Sequence, residues 1–431
     1  MYAYMPPSPL SEKLSAQITK IERVVRTDLS YLAAGGSWLA LNQVGIALIS
    51  LAVSIAFAHF VSKEAYGTYR FLLSVFWILT AFSLSGIPTA VTQAVARGFE
   101  GAYQKGFALS LLWSIPLFLI AAGTSVYYFA NGNAVLGWGA VIIALLGPLI
   151  QPSFLYGAFL EGKRDFRLMT IFGILLNAFS AVLLCATMLV TQNPLAFVAA
   201  YLLGNIIPGI GFYYLTRHLY RPNQQTNPEV TLLSLHFSAM NFLATISQQI
   251  DKLLIFHYLG AAQLAVYSFA IAVPEQVKSA INSVSNLAFP KFAQRSIREI
   301  MHNLWRRMWI FTAAMAAVTV GYLVFARLGF EIVFPRYLDS VFYSQVYAVS
   351  LLFISNTIPP TILQAHAAKK ELYIFNIATP IVQIAALVFF TIGYGLLGAV
   401  VARIVSRFFN LVLGTWLVRS YAQSAPEPTQ P

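Results

Sequence analysis

Residues 163–191 read KRDFRLMTIFGILLNAFSAVLLCATMLVT, and this stretch contains the pattern that decides the fold. Its first five residues carry four charges, and the 24 residues that follow carry none. A transmembrane α-helix needs about 20 consecutive apolar residues, so 168–191 is long enough to cross a bilayer as one helix. Basic residues beside such a run are typical of the cytoplasmic end of a membrane span.

The composition of the whole chain agrees with this pattern. Of its 431 residues, 58% are hydrophobic and only 10% are charged, whereas an average soluble domain is about 25% charged. A soluble fold of this size could not cover its exterior with so few charges. The same figures exclude disorder, and a disulfide scaffold is excluded because Cys185 is the only cysteine. We therefore predict a polytopic membrane protein.

Apolar runs of membrane-crossing length recur along the chain with short breaks between them. We predict twelve spans, at residues 31–61, 69–95, 106–130, 134–160, 168–191, 195–216, 232–258, 263–289, 305–327, 341–366, 372–395 and 397–418. The predicted fold class is all-α, a bundle of twelve transmembrane helices.

The basic residues are distributed unevenly between the two sides of the membrane. Alternate connections, starting from the N-terminal segment, contain 19 of the 27 lysines and arginines, and the intervening connections contain only Lys63, Arg70, Arg327 and Arg336. The positive-inside rule then places both termini in the cytoplasm. Residues 1–30 are predicted to lie on the cytoplasmic leaflet as a basic amphipathic helix, or as a frayed leader held there by charge alone. Residues 420–431 are predicted to be a disordered tail.

The chain contains a faint internal repeat. HFVS at 59–62 followed by YGTY at 66–69 matches HYLG at 257–260 followed by LAVY at 264–267, at a constant offset of 198. We predict an N-terminal lobe at 31–218, a cytoplasmic linker at 219–231 and a C-terminal lobe at 232–419. Because six spans is an even number, the two six-helix lobes are parallel in the membrane. Transporters built from such repeats bind substrate near the midplane between the lobes, so a central cavity is expected there.

Short motifs in both halves give the chain a family resemblance. KEAYGTYRF at 63–71 and GIPTA at 86–90 stand in the first half, and QIDK at 249–252, AVY at 265–267 and FP at 289–290 in the second. With these motifs the chain resembles polysaccharide-biosynthesis membrane proteins, the O-antigen (Wzx-like) flippases of the multidrug/oligosaccharidyl-lipid/polysaccharide exporter superfamily. The resemblance extends over essentially the whole chain. It implies that an anionic polyprenyl-diphosphate-linked oligosaccharide crosses the bacterial cytoplasmic (inner) membrane by alternating access, and it leaves coupling to H⁺ or Na⁺ open.

Ionisable residues inside the predicted spans are functional candidates, because each costs at least about 2.5–3.5 kcal/mol to insert. Four basic and two acidic residues qualify, and their positive excess suits an anionic lipid carrier better than a cationic drug. The predicted substrate-binding residues are Arg403, Arg407, Lys278 and Lys252, together with Arg70 near the outer end of the second span. The predicted ion-coupling residues are Asp251 and Glu275.

Helical spacing limits how four of these residues can pair. Glu275 and Lys278 are three apart, so they can form an ion pair on one face, which is also the expected arrangement of a purely structural polar patch. Asp251 and Lys252 are neighbours and point about 100° apart, so one can face the cavity while the other faces a neighbouring helix.

The arginines leave more alternatives open. Arg403 and Arg407 are four apart, share a helix face and require an anion in a medium of low dielectric constant. That anion is either a carboxylate of an adjacent helix, in a structural cluster, or the diphosphate of the substrate. Arg403 can instead snorkel to the outer interface, and Arg70 can serve as an interfacial anchor.

The sequence contains no P-loop, no paired metal-ligand cysteines and no HExxH motif. We therefore expect no cofactor, no bound metal, no nucleic-acid partner and no enzymatic activity, but a monomer in contact with membrane lipids. One rival interpretation is a multidrug/cation antiporter of the same superfamily. Another is a membrane glycosyltransferase or polymerase, which predicts a large extracellular loop, whereas the longest outer loop expected here, at 328–340, is short.

Overall fold

The computed structural model describes residues 29–226, 229–293, 297–366 and 368–424, which form helices and no strand. Nearly all of the predicted amphipathic segment, residues 1–28, lies outside the described residues, and so do residues 425–431 of the predicted tail. Residues 420–424 are helical, so the prediction of disorder from residue 420 is wrong there. Tyr421 explains the difference, because its hydroxyl donates a hydrogen bond to the carbonyl oxygen of His366 at 3.2 Å and packs the helix end against the bundle.

The α-helices follow one another through short connections. In chain order they are α1 Leu29–Phe60, α2 Lys63–Leu79, α3 Ile87–Ala96, α4 Ala102–Leu112, α5 Ile115–Ala130, α6 Ala134–Leu146, α7 Ile150–Ser153, α8 Leu155–Gly162, α9 Phe166–Val190, α10 Pro194–Tyr220, α11 Val230–Ser247, α12 Ile250–Leu259, α13 Ala261–Ala293, α14 Ile297–Val333, α15 Ser340–Ala348, α16 Ile358–Ala365 and α17 Lys369–Ser424. Short 3₁₀ segments lie at Thr80–Phe82, Gly147–Leu149, Pro335–Tyr337 and Val349–Thr357.

Several membrane-length segments are broken inside. The helices on the two sides of residues 83–86 bend by 56°, and Pro88 lies in the first turn of α3, where its missing N–H costs no hydrogen bond. Pro116 occupies the same position in α5. Inside α17, Gly395 has φ 58° and ψ −136°, a conformation that glycine tolerates and side-chain-bearing residues do not. This break falls between the spans predicted at 372–395 and 397–418.

The helices are those of a multi-pass membrane protein. Nine helical segments of the described residues, four of them made up of consecutive helices of the series above, are long and apolar enough to cross a membrane. The bent pair around residues 83–86 makes ten if it counts as one span. Their outer faces carry large apolar side chains such as Leu189 and Val190, which are 72% and 86% exposed.

The loop predicted at 328–340 is shorter than expected, because α14 continues to Val333. An ion pair from Arg327 Nε to Glu331 Oε1 at 3.0 Å joins the end of the apolar run to this extension.

The two halves of the chain meet along a seam in which α2 packs against α12 and α13, and α3 packs against α11. Phe71 and Phe256 stack across it with ring centroids 3.9 Å apart. At one end, Lys63 Nζ lies 2.5 Å from Asp339 Oδ2. We call this the Lys63 end of the bundle, and the halves are in close contact there.

Candidate functional site

A cavity of about 590 Å³ lies between the two halves, and we call it the central cavity. Its volume falls within the roughly 300–1,000 Å³ that is common for ligand sites. Side chains of α1, α2, α11, α12, α13 and α17 line it. The charged lining residues are Arg70, Lys252, Glu275, Lys278 and Arg403, and amides are supplied by Gln248, Gln249, Gln276, Gln383 and Asn410.

Asp251 lies behind the surface of this cavity and is fully buried. Its Oδ2 accepts hydrogen bonds from Arg403 Nη2 at 2.6 Å, from Arg403 Nε at 3.2 Å and from the Tyr267 hydroxyl at 2.6 Å. Its Oδ1 has no hydrogen-bond partner within the described part of the chain. Arg403 also donates to the carbonyl oxygen of Gln248 at 3.1 Å. One arginine therefore neutralises the buried carboxylate and still reaches the cavity.

Arg407 has a different environment although it lies one turn away. Its Nη2 donates to Glu275 Oε1 at 2.5 Å and to the Tyr347 hydroxyl at 2.9 Å, and its Nη1 donates to Ser350 Oγ at 2.5 Å. Lys278 Nζ lies 3.5 Å from Glu275 Oε2, so the pairing expected from their spacing is present. Arg407 is only 5% exposed and does not line the cavity, because the neighbouring tyrosine and serine enclose it.

Two basic residues of the cavity have no carboxylate partner. Lys252 Nζ donates to Gln249 Oε1, and Arg70 Nε is buried without a hydrogen-bond partner. Among the described residues, neither side chain forms an ion pair within 4.0 Å. Lys252 faces the cavity while its neighbour Asp251 faces α17, as their separation of about 100° on the helix leads one to expect.

The cavity is therefore cationic. Among the described residues, four basic side chains line it, those of Arg70, Lys252, Lys278 and Arg403, and we call them the cationic wall. A single carboxylate of the described residues, that of Glu275, lines the cavity beside them. Fixed positive groups in a site of low dielectric constant attract and hold an anion. No group of three His, Cys, Asp or Glu side chains that could hold a metal ion occurs in the part of the chain that the structure describes.

Two tyrosines in this site were not expected from the sequence. Tyr267 and Tyr347 each donate a hydrogen bond to one of the two carboxylates. Tyr267 ends the repeated motif at 264–267 and matches Tyr69 at the offset of 198, so the repeat contained a signal for it. No sequence pattern points to Tyr347, whose role depends on how the segment before Val349 packs against α13 and α17.

A model described as polysaccharide biosynthesis protein covers residues 32–296, which is more than half of the chain. The search of curated proteins gave no match.

The fold is similar to that of several solved transporters. An inward-facing multidrug resistance MATE family transporter of the MOP superfamily has a TM-score of 0.68 at 15% identity, with 90% of this chain and 100% of that chain covered. A structure described as the outward-facing conformation of such a transporter has a TM-score of 0.62 at 15% identity, covering 91% and 96%. A MOP superfamily transporter from Pyrococcus furiosus, described as having a binding pocket of reverse polarity, has a TM-score of 0.61 at 14% identity, covering 92% and 96%.

Proposed function

Because the chain belongs to the polysaccharide biosynthesis protein family, we propose that it moves a polyprenyl-diphosphate-linked oligosaccharide across the bacterial cytoplasmic membrane. Family and fold together support a membrane transporter rather than an enzyme. The observation that carries the choice of substrate is the cationic wall, in which Lys252 and Arg70 have no carboxylate partner among the described residues. In this proposal the diphosphate enters the central cavity and the polyprenyl tail stays in the lipid.

The state of the carboxylates supports an anionic substrate over a cationic drug. Asp251 is already bound by Arg403, and Glu275 by Arg407 and Lys278. A site for an organic cation needs a carboxylate that is free to pair with it, and neither of these is. Arginine forks bind phosphate oxygens in a bidentate manner and lysines bind them as point charges, so the wall offers both kinds of contact.

We further propose that twelve spans form two parallel lobes, at 31–218 and 232–419, with both termini in the cytoplasm and the protein acting as a monomer. Nine helical segments of the described residues qualify as spans, and the bent pair adds a tenth. Dividing α17 at Gly395 adds an eleventh, and the 33-residue α13 adds the twelfth. The starts of α2 and α13, at Lys63 and Ala261, are 198 residues apart, which supports the duplication suggested by the repeat.

Asp251 and Glu275 are the proposed coupling groups for H⁺ or Na⁺. Each carboxylate holds an arginine, at 2.6 Å for Arg403 and 2.5 Å for Arg407. Binding of the ion would neutralise the carboxylate and weaken its ion pair with the guanidinium. Arg403, which lines the cavity and pairs with Asp251, would then be free to bind the diphosphate. On the other side of the membrane, the carboxylate would become negative again and pair with Arg403 in place of the diphosphate. The substrate would then be released there, as alternating access requires.

The proposal is tested by transport into proteoliposomes of a fluorescent polyprenyl-diphosphate-linked N-acetylglucosamine. Lys252→Gln and Arg70→Gln should each lower the initial rate by about tenfold, since each removes a charged hydrogen-bond donor to the diphosphate. Arg327→Gln is the matched control and should keep the wild-type rate, because Arg327 is exposed and pairs only along its own helix.

A double variant, Lys252→Gln with Arg70→Gln, that transports at the wild-type rate would contradict the cationic wall as the substrate site. A wild-type protein that moves ethidium and not the lipid-linked sugar would instead establish the multidrug/cation antiporter.

A further inference from the structure

A second, smaller cavity lies within the N-terminal half, between α1, α2, α9 and α10. Its volume is about 230 Å³. It shares Ser50, Ser54, Tyr66 and Arg70 with the central cavity, so the two cavities adjoin at these residues. We call it the side pocket.

The side pocket contains hydrogen-bond donors that the protein itself leaves unused. The hydroxyl groups of Tyr66, Tyr69 and Tyr201 make no hydrogen bond to any described residue, although all three side chains line the pocket. Arg70 lines the same pocket, and its buried Nε also has no partner among the described residues. Hydroxyl groups that face a pocket and are not used by the protein are available to a polar ligand, which can satisfy them together.

The pocket also contains acceptors and an aromatic side chain. Asn177 uses its Nδ2 to bond the carbonyl oxygen of Gly173 at 2.8 Å, and Asn205 uses its Nδ2 to bond that of Tyr201 at 2.7 Å. Their amide oxygens remain as acceptors beside the ring of Trp77. A phosphate group offers only acceptor oxygens when ionised, so it could use the donors of this pocket but not the two amide oxygens. A ring with several hydroxyl groups, each both donor and acceptor, satisfies the whole set.

We propose that the side pocket binds the sugar ring next to the diphosphate of the lipid-linked substrate, while the diphosphate lies against the cationic wall. This inference rests on the proposed function and assigns its two substrate moieties to different halves of the chain. Arg70 lies at the junction, because it lines both cavities. The volume of about 230 Å³ is below the roughly 300–1,000 Å³ of sites for drug-sized ligands, so the pocket holds a single ring and the remaining sugars extend into the central cavity.

Binding of matched probes to the purified protein in detergent tests the assignment. The probes are citronellyl diphosphate and the same molecule carrying one glucose, galactose or N-acetylglucosamine. At least one sugar-bearing probe should bind about tenfold more tightly than citronellyl diphosphate. Tyr201→Phe and Asn177→Ala should each reduce this advantage by about threefold to tenfold, the range for one lost hydrogen bond, without changing the dissociation constant of the sugar-free probe.

Two further variants separate this inference from the proposed function. Lys252→Gln should weaken all the probes by a similar factor, since it acts on the diphosphate alone. Tyr127→Phe is the matched control for Tyr201→Phe and should change nothing, because Tyr127 is 63% exposed on the outside of the bundle. Thermal unfolding of each variant checks that it is folded.

The outcomes are distinct. If no sugar improves binding, or if Tyr201→Phe and Asn177→Ala weaken the sugar-free probe equally, the side pocket is not a sugar site, although the proposed function stands. If no probe binds the wild type at all, the proposed function fails and this assignment fails with it.

Discussion

Arg403 and Arg407 lie four residues apart on one helix face and yet have different surroundings. Arg403 lines the central cavity and holds Asp251, whereas Arg407 is 5% exposed and contacts Glu275, Tyr347 and Ser350. A buried ion pair adds little net stability over an apolar pair, but removing one partner leaves the other charge uncompensated. We therefore expect Arg407 to contribute to stability and Arg403 to substrate binding.

The residue-scale prediction concerns Arg407→Ala. This change should lower the free energy of unfolding by about 3 kcal/mol, because Glu275 keeps only Lys278 as its cationic partner while two polar groups lose their donor. Denaturant unfolding in detergent measures the effect. Arg336→Ala, at an exposed arginine, is the control and should stay within about 0.5 kcal/mol of wild type. A variant that unfolds like wild type and no longer transports would return Arg407 to the substrate-binding residues.

At the scale of elements, the approach of α2 to α13 depends on Gly67. A Cβ atom at this position would lie 1.8 Å from the carbonyl oxygen of Ala261, which is a backbone atom and cannot turn away. Two aromatic rings, those of Tyr66 and Phe269, lie beside this crossing with centroids 5.0 Å apart. The missing side chain therefore lets the two halves touch at the Lys63 end.

The element-scale prediction is that Gly67→Ala separates α2 from α13 and costs about 1–3 kcal/mol of unfolding free energy through overpacking. Gly123→Ala is the matched control within α5, since a Cβ atom there meets nothing within 4 Å. This control substitution should raise the free energy of unfolding slightly, because alanine has a higher helix propensity than glycine. Equal effects of the two substitutions on thermal unfolding would show that the contact with Ala261 does not constrain the packing.

At the scale of the whole molecule, the ion pair of Lys63 with Asp339 connects the two halves at the Lys63 end. The hydrogen bond from Lys63 lowers the pKa of Asp339 from its usual value, against a smaller opposing effect of burial. A carboxyl with a lowered pKa contributes stability at pH values above its ordinary pKa, near 4, and loses that contribution as the pH falls through the lowered value. Because Asp339 is 63% exposed, the contribution is under about 1 kcal/mol.

The whole-molecule prediction is that Asp339→Asn reduces the hydrogen-exchange protection of amides at the start of α2 by up to about fivefold at neutral pH. The difference from wild type should disappear once the pH has fallen below the lowered pKa of Asp339, because the wild-type carboxyl is then protonated as well. Glu331→Gln provides the comparison, since its ion pair with Arg327 lies within one helix and does not join the halves. A difference that persists at low pH would mean that the charge of Asp339 does not hold this end together.

The positions of the helices were determined by local sequence. Apolar length and flanking charge placed the span at 168–191, and α9 runs from Phe166 to Val190. The break between the spans at 372–395 and 397–418 was likewise expected, and Gly395 lies at it. Membrane insertion depends on consecutive residues and on glycine's backbone freedom, and both can be read from neighbours in the chain.

The tertiary structure alone decided which carboxylate pairs with which arginine. The sequence placed Arg403 and Arg407 on one face and left a carboxylate or a diphosphate as their anion, but it could not show that Asp251 of α12 reaches one and Glu275 of α13 the other. It also gave no sign of Tyr347, or of the unused hydroxyls around Arg70. These contacts join residues up to 152 positions apart, and electrostatic and hydrogen-bond energies depend on distances that arise only when separate helices pack together.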